Sequence, residues 1–484
     1  MKKIGLFLQS DIFVLAFGKL VQVLLLFLAV RVFTTYLSVK EVGNLILMLA
    51  VATFFGLALI NPVGSFLNRK LNEWLQQGTI LQHFINFNFY VLFISFIAFI
   101  TPFALIYLNI GSSITTIYFA IAVGLFVFFN TWNQTLIPSL NLLFYRKAFV
   151  FFTLLSTALY LLLASLLVAV HHASAFWWVL GQSVGLGIGF LLALSFFLRH
   201  IKWSRSISLP AFNAKSFEKI FRFAGPLSIS TLLLWSLGNF YKLIIEAEIS
   251  AEALAYIGLG LTLSVSLAGA IESLLMQVFH AHFYKGLSLA QTQKDREKVF
   301  QEFITNTMPI VAGSLFALIC LAPYLVNILA DQKFASVYIF LMFGIVIELI
   351  KIFTNILSHA AHSEYKTHKN IMPYFWGSLI GVAGVFAAMQ IDEWQVGVVS
   401  TLMIAWLVSF IMMKKSAQRL LSFKIPWKEI TTVVIYLMPI AAISFFFKEQ
   451  EQDILLSIFI ISISGIFAAI VLFRQYKKSE LNVV

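Results

Sequence analysis

Fourteen apolar stretches follow one another along the chain, separated by short polar segments, and most approach the roughly 20 residues a helix needs to cross a hydrocarbon core about 30 Å thick. They lie near 11 to 36, 43 to 67, 84 to 108, 116 to 137, 149 to 170, 177 to 198, 223 to 246, 254 to 279, 304 to 328, 338 to 358, 374 to 390, 397 to 413, 430 to 447 and 454 to 473. In lipid each backbone N–H and C=O must be satisfied inside its own segment, so these runs read as α-helices. Transmembrane barrels are disfavoured, because their strands alternate with period two. The predicted fold is all-α and polytopic, with about fourteen transmembrane helices. The last four stretches are short or closely spaced, and a different pairing of two of them gives twelve. With 60% hydrophobic and 11% charged residues and a mean hydropathy of +0.92, a soluble enzyme carrying one anchor is excluded. The lone Cys320 excludes an internal disulfide and a Cys-based metal cluster.

The bases orient these helices. With the N-terminus cytoplasmic, 26 of the 33 bases fall in cytoplasmic segments, including Lys2, Lys3, Arg146, Lys147 and six between Arg199 and Arg222. Only Lys40, Lys333 and Lys448 fall outside, and four bases remain within spans. Because bases resist translocation, this asymmetry predicts both termini on the cytoplasmic side, and the expected location is an inner (cytoplasmic) membrane. Most of the net charge of +12 is then a topology signal, and nucleic acid is not an expected partner, since no long basic domain exists outside the spans.

The second half echoes the first at an offset of 212. Ser38-Val39-Lys40-Glu41-Val42-Gly43-Asn44-Leu45 faces Ser250-Ala251-Glu252-Ala253-Leu254-Ala255-Tyr256-Ile257, each in a short outer loop after a long helix. Six spans per half is an even number, so the expected architecture is two six-helix bundles in parallel pseudo-repeat with a cavity between them, plus two C-terminal helices. The corresponding domains are residues 1–200, a basic linker 201–222, residues 223–413, and a C-terminal part 414–484.

Gly225-Pro226-Leu227, Trp235, Asn239 and Tyr241-Lys242-Leu243-Ile244-Ile245, then Ala255-Tyr256, resemble the seventh-helix pattern of polysaccharide and lipid-linked oligosaccharide flippases. Tyr36-Leu37-Ser38-Val39-Lys40-Glu41-Val42-Gly43 resembles the opening of the same O-antigen-translocase-like family, part of the multidrug/oligosaccharidyl-lipid/polysaccharide exporter superfamily. The resemblance extends over roughly residues 10 to 420 in topology. It implies transport by alternating access rather than catalysis. The implied partners are an isoprenoid-linked oligosaccharide, membrane lipid, a polysaccharide polymerase and a chain-length regulator.

Six ionisable residues lie well inside the spans: Lys19, Arg31, Lys242, Glu272, Glu348 and Lys351. Each costs roughly 2.5 to 3.5 kcal/mol at a helix centre on insertion scales, so each needs a reason. One reading is local: Arg31 and Lys242 are within about a turn of the outer interface and can snorkel, while Glu348 and Lys351, at i and i+3, can neutralise each other. The sharper reading makes Lys19, Arg31, Lys242 and Lys351 substrate-binding residues for the pyrophosphate or acidic sugars of a lipid-linked saccharide, whose oxygens are strong acceptors. Four bases against two acids suit an anionic headgroup better than a cationic drug, the cargo of the alternative antiporter reading. Glu272 and Glu348 are candidate ion-coupling residues, since a buried carboxylate can take up and release protons.

His280, His282, His359 and His362 lack carboxylate or cysteine companions at ligand spacing and are expected to be interfacial rather than metal ligands. No Walker motif, hydrolase signature or cofactor motif occurs, so no cofactor is expected. Gly181, Gly185, Gly187 and Gly189 form a small-residue face expected to pack closely against a neighbouring helix. Pro226, Pro309 and Pro439 are expected near the starts of their helices, with Pro62, Pro102 and Pro323 as candidate kinks and Pro62 the best candidate for a bending point.

Overall fold

The computed structural model describes residues 11–201, 214–446 and 453–481. Lys2, Lys3, residues 202–213 of the basic linker and Lys448 lie outside the described residues. Among the described residues there are helices and no strand. Fourteen helical segments are long and apolar enough to cross a membrane, the number expected from the apolar runs, and the chain is a multi-pass membrane protein. They are α1 (Asp11–Tyr36), α2 (Val39–Gln76), α3 (Ile80–Leu105), α4 (Thr116–Leu142), α5 (Arg146–Val170), α6 (Ala175–His200) and α7 (Ala214–Glu248). There follow α8 (Ala251–Leu289), α9 (Gln293–Cys320), α10 (Tyr338–Ser363), α11 (Ile371–Ala388), α12 (Trp394–Gln418), α13 (Trp427–Phe446) and α14 (Ile454–Leu481). The chain forms two compact units, Met1–Trp235 with Lys242–Ala255, and Ser236–Tyr241 with Tyr256–Val484.

In the first unit the tightest seam joins α5 and α6. A Cβ added at Gly181 would fall 2.5 Å from the Ala164 Cα, and one at Gly185 or Gly189 would collide with Tyr160 or Ser156. The glycines recur every four residues, and so do their partners in reverse order, which describes two antiparallel backbones in direct contact along two turns. Gly187, on another face, meets the ring of Phe129 from α4. Three of the four glycines thus form the expected packing seam, and Gly187, read as part of the same face, packs elsewhere.

In the second unit α13 and α14 close over α9 and a short helix, Ala322–Leu329, burying Leu321, Tyr324, Val433, Leu437, Ile440 and Ile460. Tyr324 donates to the Ser444 carbonyl at 2.9 Å and Asn327 donates to Ser457 Oγ at 3.0 Å. In an apolar surround such polar contacts fix which faces meet.

Three expectations about helix ends are corrected. The ninth span, read as 304 to 328, ends at Cys320, and Pro323 opens the short helix instead of kinking a longer one. Proline lacks the N–H a helix interior needs but fits its first turn. Pro226, Pro309 and Pro439 are inside α7, α9 and α13 rather than near helix starts; α7 and α9 begin well before their apolar runs do, whereas α13 begins close to its own and Pro439 lies mid-helix. The early turns of α7 and α9 are polar and amphipathic, and hydropathy alone does not register them as helix. In α2, a π-helical stretch at Phe55–Ile60 directly precedes Pro62, which sits in the first turn of the α-helical segment that follows. Tyr90 donates to the Leu59 carbonyl at 2.8 Å, so one carbonyl of the wider π-turn is held by a neighbouring helix.

Candidate functional site

Helix α10 gathers much of the polar chemistry of the second unit on one face. Glu348, Lys351, Asn355, His359 and His362 follow at intervals of three or four residues, the spacing that superposes side chains along a helix. Lys351 Nζ lies 3.0 and 3.1 Å from the two carboxylate oxygens of Glu348. Glu348 is 4% exposed and the Lys351 side chain 27%, so a buried carboxylate is paired with a partly exposed ammonium that compensates its lost solvation. The Lys351 ammonium also lies 6.0 Å from the ring centroid of Trp406 on α12.

One turn further along, Asn355 donates to Glu272 Oε1 of α8 at 3.1 Å and accepts from the Tyr374 hydroxyl of α11 at 3.5 Å. An amide donates through its nitrogen and accepts through its oxygen, so Asn355 joins three helices. Toward the end of the same face, His280 Nε2 of α8 meets His359 Nε2 at 3.1 Å. At that contact one ring must donate and the other accept. Among the described residues no group of three or more His, Cys, Asp or Glu side chains is placed to hold a metal ion.

The first unit carries the other three predicted bases. Lys19 and Arg31 are both on α1, twelve residues apart, which is about 18 Å at 1.5 Å per residue. They therefore lie at different depths along α1. Lys19 donates to Gln22 at 3.4 Å, and Arg31 offers its carbonyl to the hydroxyls of Thr34 and Thr35 at 3.1 and 2.8 Å. Lys242 is on α7, four residues before Glu246 and on the same helix face.

Sequence reasoning missed a polar network at the end of this unit where α1 passes into α2. Ser38 caps α2 by accepting from the Glu41 N–H at 3.3 Å, and Ser250 caps α8 by accepting from the Ala253 N–H at 3.1 Å, positions that correspond at the 212-residue offset. The Glu41 carboxylate reaches the first backbone N–H of α6, at Ala175, at 2.6 Å and accepts from Asn44 at 3.0 Å; Asn44 in turn accepts from Ser113 at 2.8 Å. A carboxylate at a helix N-terminus is favoured by the helix dipole. Glu246 accepts from the Gly111 N–H at 2.6 Å. Gly43 is required here by proximity, since a Cβ at that position would overlap the Ala251 carbonyl. The available signal was the acid in Ile244-Ile245-Glu246, which hydropathy placed at the span boundary.

Solved structures share this fold. An inward-facing multidrug resistance MATE family transporter of the MOP superfamily matches with a TM-score of 0.62 over 85% of this chain and 99% of its own, at 13% identity. The lipid II flippase MurJ in an inward closed conformation matches with a TM-score of 0.62 over 95% of this chain and 98% of its own, at 14% identity. A MOP superfamily transporter from Pyrococcus furiosus matches at 0.56, over 85% and 96%, at 15% identity. The class is thus a helical multi-pass membrane protein with the MOP-superfamily fold, a fold whose matched members are named as transporters and a flippase rather than as enzymes. Within that class the chain belongs to the polysaccharide biosynthesis protein family, which matches residues 83–339, more than half its length. No curated protein matches the chain.

Proposed function

We propose that this protein is a flippase that moves an isoprenoid-pyrophosphate-linked oligosaccharide from the cytoplasmic to the outer leaflet by alternating access, for assembly of a cell-surface polysaccharide such as O-antigen. The observation that carries the reading is the combination of membership in a polysaccharide biosynthesis family with basic side chains on membrane-spanning helices. Lys19, Arg31, Lys242 and Lys351 serve as contacts for the anionic headgroup at successive depths, and Lys351 exchanges its Glu348 partner for phosphate oxygens as the headgroup passes. Glu272 and Glu348 are the groups through which an ion gradient would couple. The membrane is the inner one, with both termini cytoplasmic, and a polymerase and a chain-length regulator act on the delivered product.

An inside-negative potential favours outward movement of the headgroup by about 2.3 kcal/mol per charge per 100 mV across the full field, and equally favours return of an empty cationic site. The test is deletion of the gene followed by leaflet-specific labelling of lipid-linked saccharide. Accumulation facing the cytoplasm, restored by the wild-type gene and not by Arg31→Ala or Lys242→Ala, is the expected result. The fold is also that of a multidrug transporter, which supports antiport of a small cation as the second reading. Normal saccharide export with altered drug sensitivity would replace the flippase with the antiporter.

A further inference from the structure

The turn between α4 and α5 holds a feature apart from the residues assigned to saccharide transport. Helix α4 ends with the Phe144 N–H bonded to the Asn141 carbonyl at 3.0 Å and the Tyr145 N–H bonded to the Leu140 carbonyl at 2.8 Å. This is the paired closure in which the residue after the cap takes a left-handed backbone, a position that favours glycine. Here it is Phe144, with φ of 67° and a ring 78% exposed. A bulky aromatic held in that conformation and turned outward does not stabilise the turn; its ring serves the surroundings.

Beside it opens a cavity of about 680 Å³ lined by Phe144, Arg146, Lys147, Phe151, Phe152 and Phe196, with no acid among the residues that line it. The Arg146 guanidinium is 5.9 Å from the Phe144 ring centroid, and the Tyr145 hydroxyl donates to the His200 carbonyl at 3.2 Å, tying the turn to the end of α6. Phe152 and Tyr145 both pack against Phe196. The two bases stand at the start of α5, and Phe151 and Phe152 lie between one and two turns further along this membrane-spanning helix. Cations at the mouth and aromatic walls below match, in order of depth, a phosphate and the first methylenes of an acyl chain.

We propose that this cavity is a binding site for an anionic phospholipid, with Arg146 and Lys147 on the headgroup phosphate, the Phe144 ring against the lipid at the mouth and the Phe151, Phe152 and Phe196 rings along the chain. A zwitterionic lipid gains less here, because its own cation meets two like charges. The site is separate from the predicted substrate-binding residues and independent of what the protein transports.

The test is binding to the purified full chain in a neutral detergent, read as the rise in unfolding temperature on titration with dioleoyl phosphatidylglycerol, dioleoyl phosphatidylcholine or inorganic phosphate. Phosphatidylglycerol is expected to bind at least tenfold more tightly than phosphatidylcholine, and Arg146→Gln with Lys147→Gln to abolish that preference. Removing two bases elsewhere, with Lys414→Gln and Lys415→Gln, is expected to leave it intact. Phe144→Gly relieves the left-handed strain, so it should fold at least as well without lipid while binding phosphatidylglycerol severalfold more weakly. Equal stabilisation by the two lipids, an unchanged preference in the Arg146 and Lys147 variant, unchanged binding in Phe144→Gly, or saturation of the effect by inorganic phosphate alone would each overturn the proposal.

Discussion

Glu246 Oε2 accepts a hydrogen bond from the Gly111 backbone N–H at 2.6 Å, joining the end of α7 to the turn after α3 at a site where the carboxylate is 6% exposed. Gly111 adopts φ of +76°, so its N–H is fixed in direction by a turn with little freedom to find another acceptor. Removing the acceptor with Glu246→Ala should destabilise the protein by about 1–3 kcal/mol, the cost of an unsatisfied buried donor. Glu246→Gln keeps an acceptor oxygen and should lose less than half as much. Unfolding followed in detergent separates the two, and equal losses would assign the effect to charge instead of the hydrogen bond.

The pair formed by Glu348 and Lys351 makes a sharper prediction, because its carboxylate is buried and depends on the ammonium beside it. Lys351→Met strands a buried carboxylate and should cost about 3–5 kcal/mol, whereas Lys351→Met with Glu348→Gln removes both charges and should recover most of that loss. A double-mutant cycle on thermal stability measures the coupling. Additive losses would show that the two groups do not depend on each other.

The helices themselves were legible because lipid leaves the backbone few options, so a run of apolar residues specifies both the element and its approximate length. Their ends were less so. The amphipathic starts of α7 and α9 lie beyond the apolar runs, and Pro226 and Pro309 were consequently read as near-terminal prolines. The ion pair at Glu348 and Lys351 could be read from i, i+3 spacing, since both residues share one helix. Contacts between elements distant in sequence, such as Glu272 with Asn355 or His280 with His359, had no local signal at all. A single sequence reports which polar residues are costly in lipid, and the fold decides which of them meet.

The glycines of α6 and α7 predict opposite outcomes for the same substitution. Gly185→Ala drives a methyl group into the Tyr160 backbone and should destabilise by about 1–3 kcal/mol through overpacking. Gly238→Ala meets nothing within 4 Å, so lower backbone entropy in the unfolded chain should make it neutral or stabilising by about 0.4–1 kcal/mol. Melting temperatures of the two variants test this, and a Gly185→Ala protein as stable as wild type would remove close backbone contact as the basis of the α5 and α6 seam.

Asn355 allows the coupling role proposed for Glu272 to be separated from a structural one. Asn355→Leu removes the amide that donates to the Glu272 carboxylate and should cost about 1.5–3 kcal/mol, the range for hydrogen bonds to charged groups. Tyr374→Phe removes only a 3.5 Å contact with Asn355, at the limit of hydrogen-bonding distance, and should cost under about 1 kcal/mol. If Glu272 only supports packing, Glu272→Gln retains an acceptor for Asn355, and transport in proteoliposomes should keep its dependence on an imposed ion gradient. If Glu272 couples transport to an ion, Glu272→Gln should fold normally yet lose that dependence, while the response to membrane potential alone remains. The two outcomes differ in which driving force the variant still obeys, a readout that loss of stability cannot imitate.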